Sequence, residues 1–338
     1  MSKRRAAWLA LAALFSYLSI KSGEGFLSAL NEARRPKLYI SLTPTPSPTP
    51  IPLSLLEVFS QGELKGTYST YQEALDQAKS LPDSGVWKDG WVWDNRLPYA
   101  SVTNDNILFF ENLSEASQKG GQIYLRRQSR LLWDDSPLPE EAKLQAPVVL
   151  QYPELARGCE VSSLSMLLKS QGLDVGKMEL AEKIPKDATI YRSRKGVVTF
   201  GDPNLGFVGS MDNPRLDGYG VYEKPIFDLL KKYMPDRGIN LTGCEFESLK
   251  KLLAQGSPVW IITNSTFAPL KEEEFVFWNI PSGRLKATYK EHSVLLTGYD
   301  KHTAYFNDPL QGPSQADLER FQEAWEQMGS QAVSVAPE

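Results

Sequence analysis

Cysteine and histidine are the scarce residues of this 338-residue chain, with two of each: Cys159 and Cys244, His292 and His302. Metal centres built from Cys and His need clustered ligands, and no closely spaced pair exists here. No metal and no other cofactor is therefore expected. A Gly-rich phosphate loop and a calcium loop are both missing. Net charge is -4 and the basic residues form no stripe, which argues against a nucleic-acid partner. What is present is ordinary for a globular protein: 41% hydrophobic and 23% charged residues, with eight Trp and fourteen each of Tyr and Phe. The length accommodates two domains of roughly 100–200 residues. If the chemistry is that of a thiol and an imidazole, four residues are the whole candidate list.

The N-terminus reads as an export segment. Lys3, Arg4 and Arg5 precede an apolar run from Ala6 to Ile20. The run is shorter than the ~20 residues of a full membrane span. No small-residue cleavage site follows, and Lys21 comes at once. Residues 1–24 are expected to be a signal peptide or an uncleaved anchor, with the body outside the membrane. No Cys follows the run, so a lipoprotein anchor is excluded. Residues 25–53 form a Pro-rich linker. Its end, 43–53, carries five prolines at alternate positions, which favours an extended, stiff spacer. The expected location is the cell surface, membrane-anchored or secreted.

Two short stretches follow. In 54–98, Leu55 to Phe59 alternates as a strand. Ser69 and Thr70 open a helix with Tyr71, Ala74, Leu75 and Ala78 on one face, and Asp89-Gly90 marks a hairpin turn. In 99–140, Ile107 to Phe110 and Ile123 to Leu125 are strand candidates. Ser114-Glu115-Ala116 echoes Gln72-Glu73-Ala74, and Trp133-Asp134 echoes Trp93-Asp94. A repeated βαββ module and a chance similarity both account for the echo.

Residues 145–335 contain longer elements. Glu160 to Gln171, Pro225 to Tyr233 and Glu245 to Gln255 have helical patterning, with Gly172 suited to the end of the first. Pro258 to Thr263, His292 to Tyr299 and Ala304 to Asn307 read as strands, the last two joined by a short polar turn. The combination indicates an α+β domain.

Three segments carry candidate chemistry. In Gly158-Cys159-Glu160 the thiol opens an amphipathic helix, where the dipole favours the thiolate and lowers its pKa. The Glu160 charge opposes that effect. Cys159 as a small buried residue, or as the disulfide partner of Cys244, is the competing structural reading in an exported chain. His292 opens an apolar strand and presents an imidazole from a rigid element. His302 lies in the turn Asp300-Lys301-His302-Thr303, exposed and without a role. Asn307 or Asp308, on the neighbouring strand, would orient the imidazole. An even-numbered turn puts His292 on one face with Asn307; an odd turn or a bulge puts it with Asp308.

Taken in order, these segments resemble the C-39-like peptidases, papain-like cysteine peptidases related to bacteriocin-processing peptidases. The resemblance runs from Gln151 through Gly158-Cys159-Glu160-Val161, Phe207-Val208-Gly209 and Gly218-Tyr219-Gly220-Val221-Tyr222. It continues through Gly256-Ser257-Pro258, His292 with Gly298-Tyr299-Asp300, and Asn307-Asp308-Pro309. It implies a papain-like cysteine peptidase fold, a nucleophile helix packed on an antiparallel sheet. It also implies Cys159 as nucleophile, His292 as base and Asp308 as the residue orienting His292. Gln151 and the backbone N–H of Cys159 would be the oxyanion donors. Ala156-Arg157 departs from the pattern, where relatives often carry Pro and a small polar residue. The implied reaction is amide hydrolysis through a thioester, on peptides or on the peptide stems of the cell wall. A non-catalytic binding module on the same fold, and an acyl transferase, are the alternatives.

Overall fold

The computed structural model describes residues 56–337, except 61–62, 82–83, 89–90, 93–96, 104–106 and 126–129. The expected export segment, 1–24, and the Pro-rich linker, 25–53, lie outside the described residues. Among the described residues no helix is long and apolar enough to cross a membrane.

The chain begins with β1 (Leu56–Ser60), β2 (Glu63–Tyr68), α1 (Tyr71–Lys79), β3 (Ser84–Lys88) and β4 (Trp91–Val92), in a sheet of order β2-β1-β3-β4. Thr70 caps α1, its hydroxyl accepting the Glu73 N–H at 3.3 Å, as the sequence pattern predicts. The apolar face of α1 packs on Leu56, Val58 and Val86. Next come β5 (Tyr99–Val102), β6 (Ile107–Phe110), α2 (Leu113–Ser117), β7 (Gln122–Leu125) and β8 (Arg130–Trp133), in the order β6-β5-β7-β8. The two sheets share strand order and helix position. Each holds one strand more than the βαββ pattern read from sequence: β2 in the first, an exposed edge lacking alternation, and β5 in the second.

The remainder is one α+β body. Its main sheet is antiparallel in the order β14 (Gly238–Asn240), β21 (Ala332–Val335), β15 (Val259–Asn264), β18 (Glu291–Tyr299), β19 (Thr303–Asp308) and β20 (Gly312–Asp317). β9 (Ala142–Lys143) pairs beside the end of β18. Both faces of this sheet are covered, which is why β15 and β18 are almost continuously buried rather than alternating. Trp260, Ile262 and Leu295 face α3 (Cys159–Ser170), α4 (Lys177–Lys183) and α5 (Glu223–Tyr233). Val259, Ile261, Val294 and Leu296 face α6 (Phe246–Ala254) and α7 (Leu318–Gln327). Each such side chain, fully buried, is worth roughly 1.5–3 kcal/mol. Leu132 and Trp133 from β8 join this second core.

Helix α3 is buried along most of its length. Ser163 Oγ donates to Ser293 O at 3.1 Å and Trp260 Nε1 donates to Glu160 O at 2.9 Å, fixing the helix to β18 and β15. A parallel pair, β10 (Lys186–Asp187) and β13 (Phe207–Val208), stands beside a smaller sheet, β11 (Arg192–Arg194), β12 (Val197–Thr199), β16 (Val276–Ile280) and β17 (Gly283–Ala287), which packs on an aromatic cluster of Phe200, Tyr219, Tyr222 and Trp278. This cluster adjoins the start of α3.

Candidate active site

The start of α3 is shaped by a close approach. A Cβ at Gly158 would lie 2.5 Å from Leu155 Cβ, so only glycine lets the chain turn into the helix here. Leu155 N–H donates to Gln151 O at 3.1 Å, closing the loop that returns Gln151 toward Cys159. Gln151 Nε2 in turn donates to Ala156 O at 3.1 Å. Arg157 ties the other side of the loop to the carbonyls of Ser210 and Asn213. The departure at Ala156-Arg157 thus has a local function: its backbone and guanidinium brace the loop.

His292 and Asp308 meet because β18 carries a bulge. Near the turn Tyr299 pairs with Ala304 and Gly298 with Tyr305, but Leu296 pairs with Phe306 and Leu295 with Asn307. Thr297 is the extra residue, and it moves His292 onto the face of Asp308. His292 Nε2 lies 2.8 Å from Asp308 Oδ1, with both side chains buried. Asn307 points elsewhere, donating from Nδ2 to Ala146 O at 3.0 Å. Burial pushes the Asp308 carboxyl up. The His292 hydrogen bond and charge, with the Leu310 N–H and the Gln311 amide, outweigh burial and hold it below its ordinary value. The Nε2–H···carboxylate bond selects the tautomer with a basic Nδ1.

The environment of Cys159 reverses one expectation. The helix start was expected to lower the thiol pKa. Instead burial, with Glu160 and Glu291 beside it, raises it well above the ordinary value. A dipole confined to the first helical turn is outweighed by desolvation and two neighbouring carboxyls. The S–H donates to Glu160 Oε2 at 3.3 Å, while Glu160 Oε1 accepts the Val221 N–H at 2.7 Å. Burial pushes Glu160 up to about 7, and burial with the nearby Glu160 pushes Glu291 well up. Sγ and one oxygen of each carboxyl lie within 4.8 Å of one another, a grouping able to take a cation. Glu291 precedes His292 in sequence, yet nothing in the pattern announces that it would meet Glu160.

The disulfide reading fails: Cys159 and Cys244 are both free thiols, and Cys244 is buried in the core behind the sheet, where burial pushes it to about 12. His302 is exposed on its turn. Cys159, His292 and Gln151 line one cavity of about 240 Å³ with Glu291 and Tyr219, rimmed by the exposed Tyr152 and Tyr289. Asp308 stands behind His292. Sequence reasoning did not single out the aromatic rim, because isolated tyrosines in loops carry no pattern.

A thiol at a helix start, an imidazole on the adjoining strand and a carboxylate behind it define the papain-like class of cysteine-peptidase sites. The chain belongs to the Peptidase_C39 like family, matched over residues 143–333. YvpB, an uncharacterized protein of Bacillus subtilis (strain 168), is 43% identical over 187 residues, 55% of this chain and 72% of YvpB. A crystal structure of a candidate C39-like peptidase from Bacillus anthracis is 45% identical, with a TM-score of 0.56. The match covers 59% of this chain and 99% of that one.

Proposed function

We propose that this chain is an exported, surface-held cysteine peptidase or amidase that hydrolyses amide bonds of peptides or of cell-wall peptide stems. The observation that carries the reading is the buried His292–Asp308 pair at 2.8 Å, lining and backing the cavity that also holds Cys159 and Gln151. In the reaction, Nδ1 of His292 takes the thiol proton and Sγ attacks the substrate carbonyl carbon. Charge developing on the carbonyl oxygen is met by the backbone N–H of Cys159 and by Gln151. The Gln151 amide has two N–H groups, and the one not given to Ala156 is available. His292 then protonates the leaving amine, and water attacks the thioester to release the acid and restore the thiol. Asp308 keeps Nε2 protonated throughout. The N-terminal basic and apolar segment supports action outside the cell.

The test is incubation of the full chain with peptide libraries and isolated wall peptides, with products read by mass spectrometry. New amine and acid termini should form with wild type and vanish with Cys159→Ala. Products joined to an added amine would redirect the reading to an acyl transferase. Binding of peptide by both proteins without cleavage would redirect it to a binding module.

A further inference from the structure

The Sγ–H of Cys159 is given to the Glu160 carboxyl rather than to the base. A thiol has one hydrogen, and here it points to Glu160 Oε2 at 3.3 Å. The Glu160 carboxyl is not free to swing away. Its other oxygen is held by the Val221 N–H at 2.7 Å, and its own carbonyl accepts from Trp260 Nε1 at 2.9 Å. The backbone at Gly220 closes over the group: a Cβ there would lie 2.4 Å from Glu160 Oε1 and 2.8 Å from Glu291 Oε2. Glycine at 220 lets the strand-like segment seal both carboxyls under the aromatic cluster.

We propose that Glu160 holds the nucleophile at rest: by accepting the Cys159 S–H it keeps the thiol turned from His292, and the thiol becomes reactive when that hydrogen bond is exchanged. The inference rests on the reading of Cys159 as the nucleophile. Once freed, the proton passes from Sγ to Nδ1 of His292. An S–H bond breaks, an N–H bond forms, and the charge on Glu160 is unchanged. The titratable groups around the Glu160 carboxyl are Cys159 on α3, Glu291 on β18 and Tyr219 on the segment before α5, whose hydroxyl lies 2.9 Å from that of Tyr222. Burial pushes both phenols up, so they remain uncharged. The guanidinium of Arg157, on the cavity wall, is engaged by the carbonyls of Ser210, Asn213 and Pro214. An acceptor oxygen beside Sγ holds the proton on sulfur, so exchange of that hydrogen bond is what frees the S–H for His292.

Glu160→Gln is the informative change. Its amide oxygen can still accept from Val221, while its NH₂ replaces the acceptor beside Sγ with a donor. Alkylation of Cys159 by iodoacetamide at neutral pH with a chelator present, read by mass spectrometry, should then be roughly tenfold faster than in wild type. Glu160→Asp keeps a carboxyl but shortens the reach by one methylene, and should accelerate labelling less. Unchanged or slower labelling in a folded Glu160→Gln protein overturns the proposal. An independent readout needs no variant at position 160. The infrared S–H stretch lost in Cys159→Ala should be present in wild type at neutral pH, at a hydrogen-bonded frequency below that of Cys244. Absence of that band at neutral pH also overturns the proposal. Neither readout needs turnover, so loss of peptide cleavage as a function and loss of this hold can be told apart.

Discussion

Three side chains, Cys159, His292 and Asp308, divide the proposed chemistry, and each can be removed separately. Cys159→Ala should abolish both thiol-probe labelling and amide cleavage, whereas Cys244→Ala should leave both intact, since Cys244 lies in the opposite core. His292→Ala should stop cleavage; His302→Ala, an exposed turn residue, should not. Loss of activity only on the last change would falsify the assignment of the base. Asp308→Asn removes the charge behind the imidazole and admits the wrong tautomer, and should lower kcat by about 10³- to 10⁴-fold with little change in KM. Asn307→Ala should stay near the wild-type rate, because that amide serves Ala146 O and not His292. Steady-state kinetics on one peptide substrate checks all of these.

At the scale of elements, the start of α3 is the constrained point. Gly158→Ala would press a methyl against Leu155, costing about 1–3 kcal/mol and displacing Cys159. Leu155→Ala removes the obstructing atoms, so the double variant should recover labelling that Gly158→Ala loses. Thermal melts and labelling rates of the four-protein cycle measure the coupling, and strictly additive losses would contradict the close approach. The elements that position the site were readable in advance where their pattern was strong. α3, β15 and β18 carry runs of apolar residues, and their ends fall within a residue or two of the sequence reading. β20 was not readable, because Gly312-Pro-Ser-Gln-Ala-Asp317 is a mostly polar edge strand. α7 left a trace in Asp317, Phe321, Ala324 and Trp325, which cap and face the helix at helical spacing. The His292 partner was undecidable from sequence alone, because a single bulged residue, Thr297, sets which face wins. The Glu160–Glu291 contact was likewise hidden, since it depends on how closely α3 packs on β18.

Across the whole molecule, the buried carboxyls impose a pH signature on stability. Glu160 favours its protonated form when folded, at about 7 against an ordinary 4.5. Its favourable contribution is therefore full below pH 4.5 and is lost as pH rises through about 7. The shift corresponds to roughly 3 kcal/mol at most. Glu160→Gln should melt higher than wild type at pH 8, and the difference should close as pH falls toward 4.5. A gap independent of pH would mean that the carboxyl is not neutralised by burial.

The two small sheets and the body are joined in series. The first packs on the second through Ala100 and Phe109, and the second packs on α6 through Leu132 and Trp133 against the side of Leu249, Leu252 and Leu253. Polar ties reinforce the second contact: Lys251 Nζ donates to Asp134 O at 2.8 Å, and the Ser117 and Ser248 hydroxyls lie 2.9 Å apart. α6 covers the face of the main sheet opposite α3, so the catalytic candidates do not depend on this contact directly. A chain beginning at residue 98 should keep the melting temperature of the body. One beginning at residue 141 strips α6 of its apolar cover and should melt lower, by roughly 2–4 °C for each kcal/mol lost. Both should still label at Cys159 at the wild-type rate. Calorimetry on the three lengths decides the matter: an equal melting temperature at residue 141 would show the second sheet to be a passenger, and lost labelling would tie it to the site.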